Sequence, residues 1–320
     1  MKQLGLFLRI ATIVLLVGCN DDDDRKVIRF ADPEVKALCV ENWDTDSDGE
    51  LSYEEAAAVE SIGRVFTDNV RISSFNELEY FTAIRNIDAE AFCGCRNLAS
   101  VRIPRGVVSI GYYAFRDNES LQDIVIPAGV TSIDSFAFQN CTGLGYLDIP
   151  DSVESLGDNL IVYCSNISKF SGKYASDDAL CLVIGGVLKS YAPAGKSDYV
   201  LPADVVAVGS YSFKYCNKLK EITIHDDVKS VGYQAFCGCE SLETAVVGSG
   251  VISVEANAFQ SCVNLTKIYF KSITPPTGAV LMFDDIAPTA KIYVPKESVE
   301  AYKNSEYWSI HADKIEGYDF

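Results

Sequence analysis

Asp44, Asp46, Asp48 and Glu55 fall at positions 1, 3, 5 and 12 of a twelve-residue stretch, with Gly49 at position 6. Carboxylates on alternate residues of a tight loop point inward together. A glycine permits the sharp turn between them, and a closing glutamate offers two oxygens to one cation. The remaining donors in this spacing are the backbone carbonyl of Glu50 and the hydroxyl of Ser52, directly or through water. Leu51, at position 8, is the apolar residue that packs such a loop inward. An all-oxygen set of this kind suits structural Ca2+. The elements that hold it are legible on either side. Asp32-Pro33 reads as the N-cap and first position of a helix carrying Val35–Asn42, and the alanine-rich stretch Tyr53–Ser61 reads as a second helix.

The order of donors resembles that of an EF-hand or dockerin-like calcium loop. Sensors pair two such loops and this chain has one, so the expected role is a clip that orders residues 32–62 against the next domain. An acidic turn without metal is the alternative. Other chemistry is sparse. There are two histidines, His225 and His311, and neither sits in a motif. Nucleophile-elbow, phosphate-loop and HExxH spacings are absent, so no catalytic residues are assigned and the chain is read as a non-enzyme. A glycosidase whose carboxylates converge only in the fold stays open.

Residues 1–18 carry Lys2, a short apolar run interrupted by Arg9, and a small residue, Gly18. The run is too short and too interrupted to span a bilayer and reads as a signal peptide. Leu16-Val17-Gly18-Cys19 resembles a bacterial lipobox, in which Cys19 is acylated; an ordinary signal peptide with an incidental cysteine is the alternative. Asp21 to Asp24 follow, in a stretch (19–30) that reads as an acidic tether and resembles the export tag of lipoproteins displayed on the outer cell surface. The chain carries a formal charge of −18, and without residues 1–18 it keeps 25 basic against 45 acidic residues. That balance argues against a nucleic-acid partner. The expected state is a monomeric outer-membrane lipoprotein on the bacterial cell surface, touching the membrane through its anchor alone.

The rest of the chain repeats. Phe92, Phe115 and Phe138 are 23 residues apart, as are Phe213, Phe236 and Phe259. Ile161 takes the phenylalanine column in a degenerate rung, and an atypical rung (174–202) carries Gly185-Gly186 as a hairpin turn. Alternation in Val101-Arg102-Ile103 and Ile222-Thr223-Ile224 sends first and third residues inward. Six cysteines, Cys95, Cys141, Cys164, Cys216, Cys239 and Cys262, lie three residues after the column phenylalanine or its substitute, with Asn118 in the same place. They read as buried free thiols. Cys93 and Cys237 share a column with Arg116, Gln139, Lys214 and Gln260, which predicts exposure.

The pattern IP-x-x-V-x-S-I-G-x-x-A-F-x-x-C-x-x-L, nearly complete from Ile126 to Leu144, resembles the BspA-type leucine-rich repeat of bacterial surface proteins. It runs from about residue 84 to 271 and fades around Ile161 and Leu180. Residues 66–83 resemble the N-terminal modules of that family and 272–320 its C-terminal cap. The expected fold is an α/β-type solenoid with a parallel strand ladder and a small helical calcium-loop segment (31–65) at its N-terminus. The resemblance implies adhesion to a host extracellular protein. A surface glycan-binding lipoprotein of a nutrient-uptake system and a structural envelope protein are the other readings. Candidate ligand anchors are the outward middle residues of the strands, expected on the concave face: Arg102, Val125, Asp148, Thr223, Val246 and Tyr269. The aromatics before each Ala-Phe or Ser-Phe are a second group: Tyr112, Tyr113, Phe136, Tyr211 and Tyr233. Packing between rungs is the alternative for these.

Overall fold

A coil that turns one side inward has nothing of its own to cover that side. In the rung that starts at Val101, the side chains of Val101, Ile103, Val107, Ile110, Ala114, Phe115, Asn118 and Leu121 are buried. Such a unit is stable only when stacked on neighbours. The computed structural model describes residues 27–320 and has that architecture, a parallel β-solenoid with a small helical segment at its N-terminal end. The signal segment 1–18, Cys19 and Asp21–Asp24 lie outside the described residues.

Each regular rung contributes to two ladders of short strands. In the Ser-Ile ladder, Asn86–Ile87, Ser109–Ile110, Ser132–Ile133 and Ser155–Leu156 pair in parallel, so Ile87, Ile110, Ile133 and Leu156 stack in register. The triplet ladder is most regular in the C-terminal half. There Asp198–Val200, Glu221–Ile224, Thr244–Val247, Lys267–Phe270, Lys291–Pro295 and Ile315–Tyr318 form a six-stranded sheet, every pair parallel.

Between strands the chain turns through left-handed backbone, two residues before and two residues after the column phenylalanine. Glu90, Tyr113, Phe136, Tyr211 and Gln234 hold the first place, and Gly94, Asp117, Asn140, Tyr215 and Gly238 the second, all with φ between 50° and 76°. For residues other than glycine this conformation costs about 1–2 kcal/mol each. Hydrogen bonds between rungs offset it. The N–H groups of Glu90, Phe92 and Gly94 donate to the carbonyls of Tyr112, Ala114 and Arg116 at 2.8–2.9 Å, and those of Tyr211, Phe213 and Tyr215 to Tyr233, Ala235 and Cys237 at 2.8–3.0 Å.

The phenylalanines stack along the axis. Phe92, Phe115 and Phe138 lie 5.4 and 5.6 Å apart with rings 8° and 7° from parallel, and Phe236–Phe259 are 5.0 Å apart at 5°. The stack extends beyond the regular period, to Phe66 (5.5 Å from Phe92), Tyr191 (4.8 Å from Phe213) and Phe283 (5.7 Å from Phe259). Beside it, five of the six column cysteines reach back one rung. The thiols of Cys95, Cys141, Cys164, Cys239 and Cys262 donate to the carbonyls of Phe66, Phe115, Phe138, Phe213 and Phe236 at 2.9–3.1 Å, and Asn118 Nδ2 donates to Phe92 at 2.7 Å. All ten cysteines among the described residues are free. Burial pushes the Cys95 thiol up to about 12.

Two sequence expectations need correction. Cys237 is buried and Cys93 half-buried, because the left-handed turn tucks this column between rungs; Arg116, Gln139, Lys214 and Gln260 are half-buried in it too. The second helix ends at Ala58 instead of Ser61. Val59 turns extended there, and Val59 and Ile62 run into the core.

The rung at 174–202 breaks both ladders. Cys181–Ile184 and Val187–Tyr191 form an antiparallel hairpin, turned through Gly185 and Gly186 at φ 57° and 78°. Cys181 is buried there, its Sγ 3.2 Å from the Tyr199 hydroxyl. The C-terminal end is closed by Trp308, whose Nε1 donates to the Pro276 carbonyl at 2.8 Å, and by Tyr302, whose hydroxyl donates to Ser272 at 2.9 Å. Because Phe236 is buried between two parallel rings, Phe236→Ala should cost about 3–5 kcal/mol in chemical denaturation. A loss below about 1 kcal/mol would contradict the ring stack as a main packing element.

Candidate functional site

The N-terminal helical segment is welded to the first rungs through side chains on both sides of its acidic loop. Helix α1 (Pro33–Trp43) is capped by Asp32, whose Oδ1 accepts from the N–H groups of Glu34 and Val35. The other oxygen of Asp32 accepts from the Ser73 N–H and hydroxyl at 2.6 and 2.7 Å, tying the helix to the solenoid. Burial opposes ionisation of Asp32, but these hydrogen bonds outweigh it and hold the carboxyl below its ordinary range. Trp43 ends α1 with its ring 5.5 Å from Phe81. Tyr53 begins α2 (Tyr53–Ala58) with its ring 4.7 Å from Tyr80.

The loop between these two anchors brings Asp44, Asp46 and Asp48 together, with one carboxylate oxygen of each within 4.8 Å of the others. Ser47 and Gly49 make the turn at φ 62° and 83°. The Asp44 carboxylate accepts from the N–H groups of Ser47 and Gly49, which orients it. Glu55 is outside that trio. One of its oxygens accepts from the Thr45 N–H and hydroxyl, the other from the Ser52 N–H and hydroxyl, completing a capping box on α2. Slight burial works against the Glu55 anion, but these hydrogen bonds win and hold its carboxyl down at about 2. Its capping contribution is therefore complete above the ordinary carboxylate range and is lost as pH falls toward 2. The Glu50 side chain pairs with Lys36 at 2.6 Å, leaving its backbone carbonyl as the oxygen it would offer a cation. The three converging carboxylates are hard oxygen donors and fit a Ca2+ ion.

The hairpin rung divides the outward row in two. Arg102 bridges to Val125 in register and Asp148 to Ser171. Beyond the hairpin, Thr223, Val246 and Tyr269 stand in register with one another. Arg102, Val125 and Asp148 are exposed, Val125 at 74%, whereas Thr223, Val246 and Tyr269 are half-buried. The first three share a groove of about 1040 Å³ with Glu79, Arg105 and Asp123. Arg102 pairs with Glu79 at 3.0 Å across one rung. A smaller cavity of about 340 Å³, lined by Arg29, Tyr53, Tyr80 and Arg102 among others, adjoins it at Glu79 and Arg102. One wall of the groove region therefore comes from the N-terminal helical segment. Sequence alternation found Arg102, Val125 and Asp148. It missed Glu79, which lies in a 3₁₀ turn (Asn76–Tyr80) outside the repeat.

The aromatics before Ala-Phe fall into two clusters, neither of which lines the groove. Tyr112, Tyr113 and Phe136 meet with centroids 4.0–5.7 Å apart, and Arg116 lies over the Tyr113 ring at 4.7 Å. Tyr211 and Tyr233 meet edge to face at 5.2 Å, with Lys214 over Tyr211. Tyr113, Phe136 and Tyr211 sit on the left-handed turn positions and are half-buried, so rung-to-rung packing accounts for them.

A model of the BspA-type leucine-rich repeat region matches residues 65–175 and 193–305 in six copies, lapsing over the hairpin. Comparison with curated proteins returns no match. Among solved structures, the fold is similar to the pneumococcal vaccine antigen PcpA, at 17% identity and a TM-score of 0.54, covering 74% of this chain and 76% of that one. It is also similar to a leucine-rich cell surface protein of Faecalibacterium prausnitzii A2-165, at 18% identity and TM-score 0.51, covering 79% of this chain and 85% of that one. A third is a leucine-rich-repeat protein of Eubacterium ventriosum ATCC 27560, at 23% identity and TM-score 0.52, covering 70% and 66% respectively. At these identities the likeness speaks for the fold. With the repeat matched over more than half its length, the chain belongs to the BspA-type leucine-rich-repeat family.

Proposed function

We propose that this protein is a non-enzymatic adhesion module of the bacterial cell surface that binds a host extracellular protein through the groove at Arg102, Val125 and Asp148. The observation that carries this reading is the composition of that groove. It places an exposed valine among charges of both signs, Arg102 and Arg105 against Glu79, Asp123 and Asp148, on a backbone held in register. A mixed surface of this kind suits a protein partner, in which a central apolar contact is ringed by pairable charges. The surface location is supported by the signal-like residues 1–18, the Cys19 lipobox and the acidic stretch after it. It is supported also by the likeness to the Faecalibacterium protein, a leucine-rich cell surface protein. No helix among the described residues is long and apolar enough to cross a membrane, consistent with attachment through acylated Cys19.

Ca2+ at Asp44, Asp46 and Asp48, with Glu50, Ser52 and Glu55 completing the shell, is proposed as a clip. It would fix the distance between Trp43 and Tyr53, the two aromatic anchors on the solenoid. Calcium should raise the thermal midpoint of the wild type, by linkage worth about 2.7 kcal/mol at a hundredfold excess over Kd, and leave Asp44→Ala unmoved. An unchanged wild-type midpoint would remove calcium from the account.

The groove is tested by binding of residues 25–320 to a panel of purified extracellular-matrix proteins. At least one should bind, and Val125→Asp or Arg102→Glu should each weaken it by roughly tenfold or more. Full binding by both variants, or none by the wild type, would reject the groove as the adhesive surface.

A further inference from the structure

The triplet ladder ends in a surface unlike the groove. Tyr269 and Tyr293 are paired in register on neighbouring strands, and their rings stack at 4.8 Å and 18°. The last strand places Tyr318 beside them, its ring edge-on at 5.2 Å from Tyr269 and 5.6 Å from Tyr293. Phe320 continues the group, 5.1 Å from Tyr318 and 6.3 Å from Tyr269. Tyr318 and Phe320 are 42% and 53% exposed, so the cluster is open to solvent instead of being folded into the cap. Two ion pairs border it, Lys291 with Glu316 and Lys296 with Asp319.

We propose that this cluster is a binding platform for a neutral oligosaccharide. The chemistry on the surface is that of a sugar site. The open ring surface of Tyr318 and Phe320 can meet the C–H face of a pyranose, and three tyrosine hydroxyls can exchange hydrogen bonds with its hydroxyl groups. The two bordering ion pairs each set a lysine beside its carboxylate, so they offer donors and acceptors without a concentrated charge of one sign. The chain as a whole carries −18, which repels a polyanionic glycan and leaves an uncharged one favoured. Size points the same way. Four partly exposed rings offer a few hundred Å², well short of the about 800 Å² per partner of a stable protein interface.

The platform uses none of the groove residues, so the two readings succeed or fail separately. Isothermal titration with cellohexaose, mannohexaose, xylohexaose and maltohexaose tests it, with dextran sulfate as the charged control. At least one neutral hexasaccharide should bind, and Tyr318→Ala and Phe320→Ala should each weaken it by roughly tenfold. Val125→Asp in the groove should leave it unchanged. Both platform residues are exposed, and equal melting temperatures would show that the variants stay folded. Failure of all four sugars to bind, binding that survives both substitutions, or preference for dextran sulfate overturns the proposal.

Discussion

The carbonyls of the stacked phenylalanines Phe66, Phe92, Phe115, Phe138, Phe213 and Phe236 are the groups on which the stack depends. Phe115 also donates its amide N–H forward to Ala137 of the next rung at 2.8 Å, and its ring lies on the next ring. The turn gives the Phe92 carbonyl one backbone donor, the Cys95 N–H at 3.3 Å. It leaves a second acceptor site beside the rings for a side-chain donor, a hydrogen bond worth about 0.5–1.5 kcal/mol. Elsewhere in the column a thiol three residues after the next phenylalanine is that donor, as Cys141 is for Phe115 at 3.0 Å. Cysteine suits the place because it brings a weak donor with a small apolar body and no strong acceptor of its own. Asn118 in the same column donates to Phe92 equally well, but its Oδ1 is buried without a partner.

Once that column is set, the outward surface follows from register alone. Strands advance one period per rung, so every middle residue of a triplet joins the same row, and the hairpin at 174–202 is what divides the row. The halves then differ in chemistry because their outward residues differ. The N-terminal half presents mixed charges around Val125, next to the helical segment with the acidic loop, and the C-terminal half ends in stacked tyrosines. One scaffold thus carries two surfaces of different chemistry.

The period, the inward and outward alternation, the cysteine column and the Gly185-Gly186 turn were all legible in the sequence, because each rests on spacing that the solenoid repeats. What escaped has a physical reason in each case. Phe66, Tyr191 and Phe283 join the ring stack at intervals of 26, 22 and 24 residues from their neighbours, so a strict period passes over them. Cys237 looked exposed from its polar column-mates, yet left-handed turn backbone, invisible to a hydropathy pattern, draws that column between rungs. Tyr293 could have been found, since Ile292-Tyr293-Val294 repeats the alternation of Val101-Arg102-Ile103. Its neighbour Tyr318 lies in the cap, where the repeat no longer assigns a face.

The direct test of the carbonyl–donor column is chemical denaturation of Asn118→Ala and Asn118→Cys beside the wild type. If the column exists to give the Phe92 carbonyl a second donor beside the Cys95 N–H, the alanine variant should lose about 0.5–1.5 kcal/mol. The cysteine variant, which restores a donor and removes the unpartnered Oδ1, should match or exceed the wild type. An alanine variant as stable as the wild type, or a cysteine variant as damaged as alanine, would contradict the account.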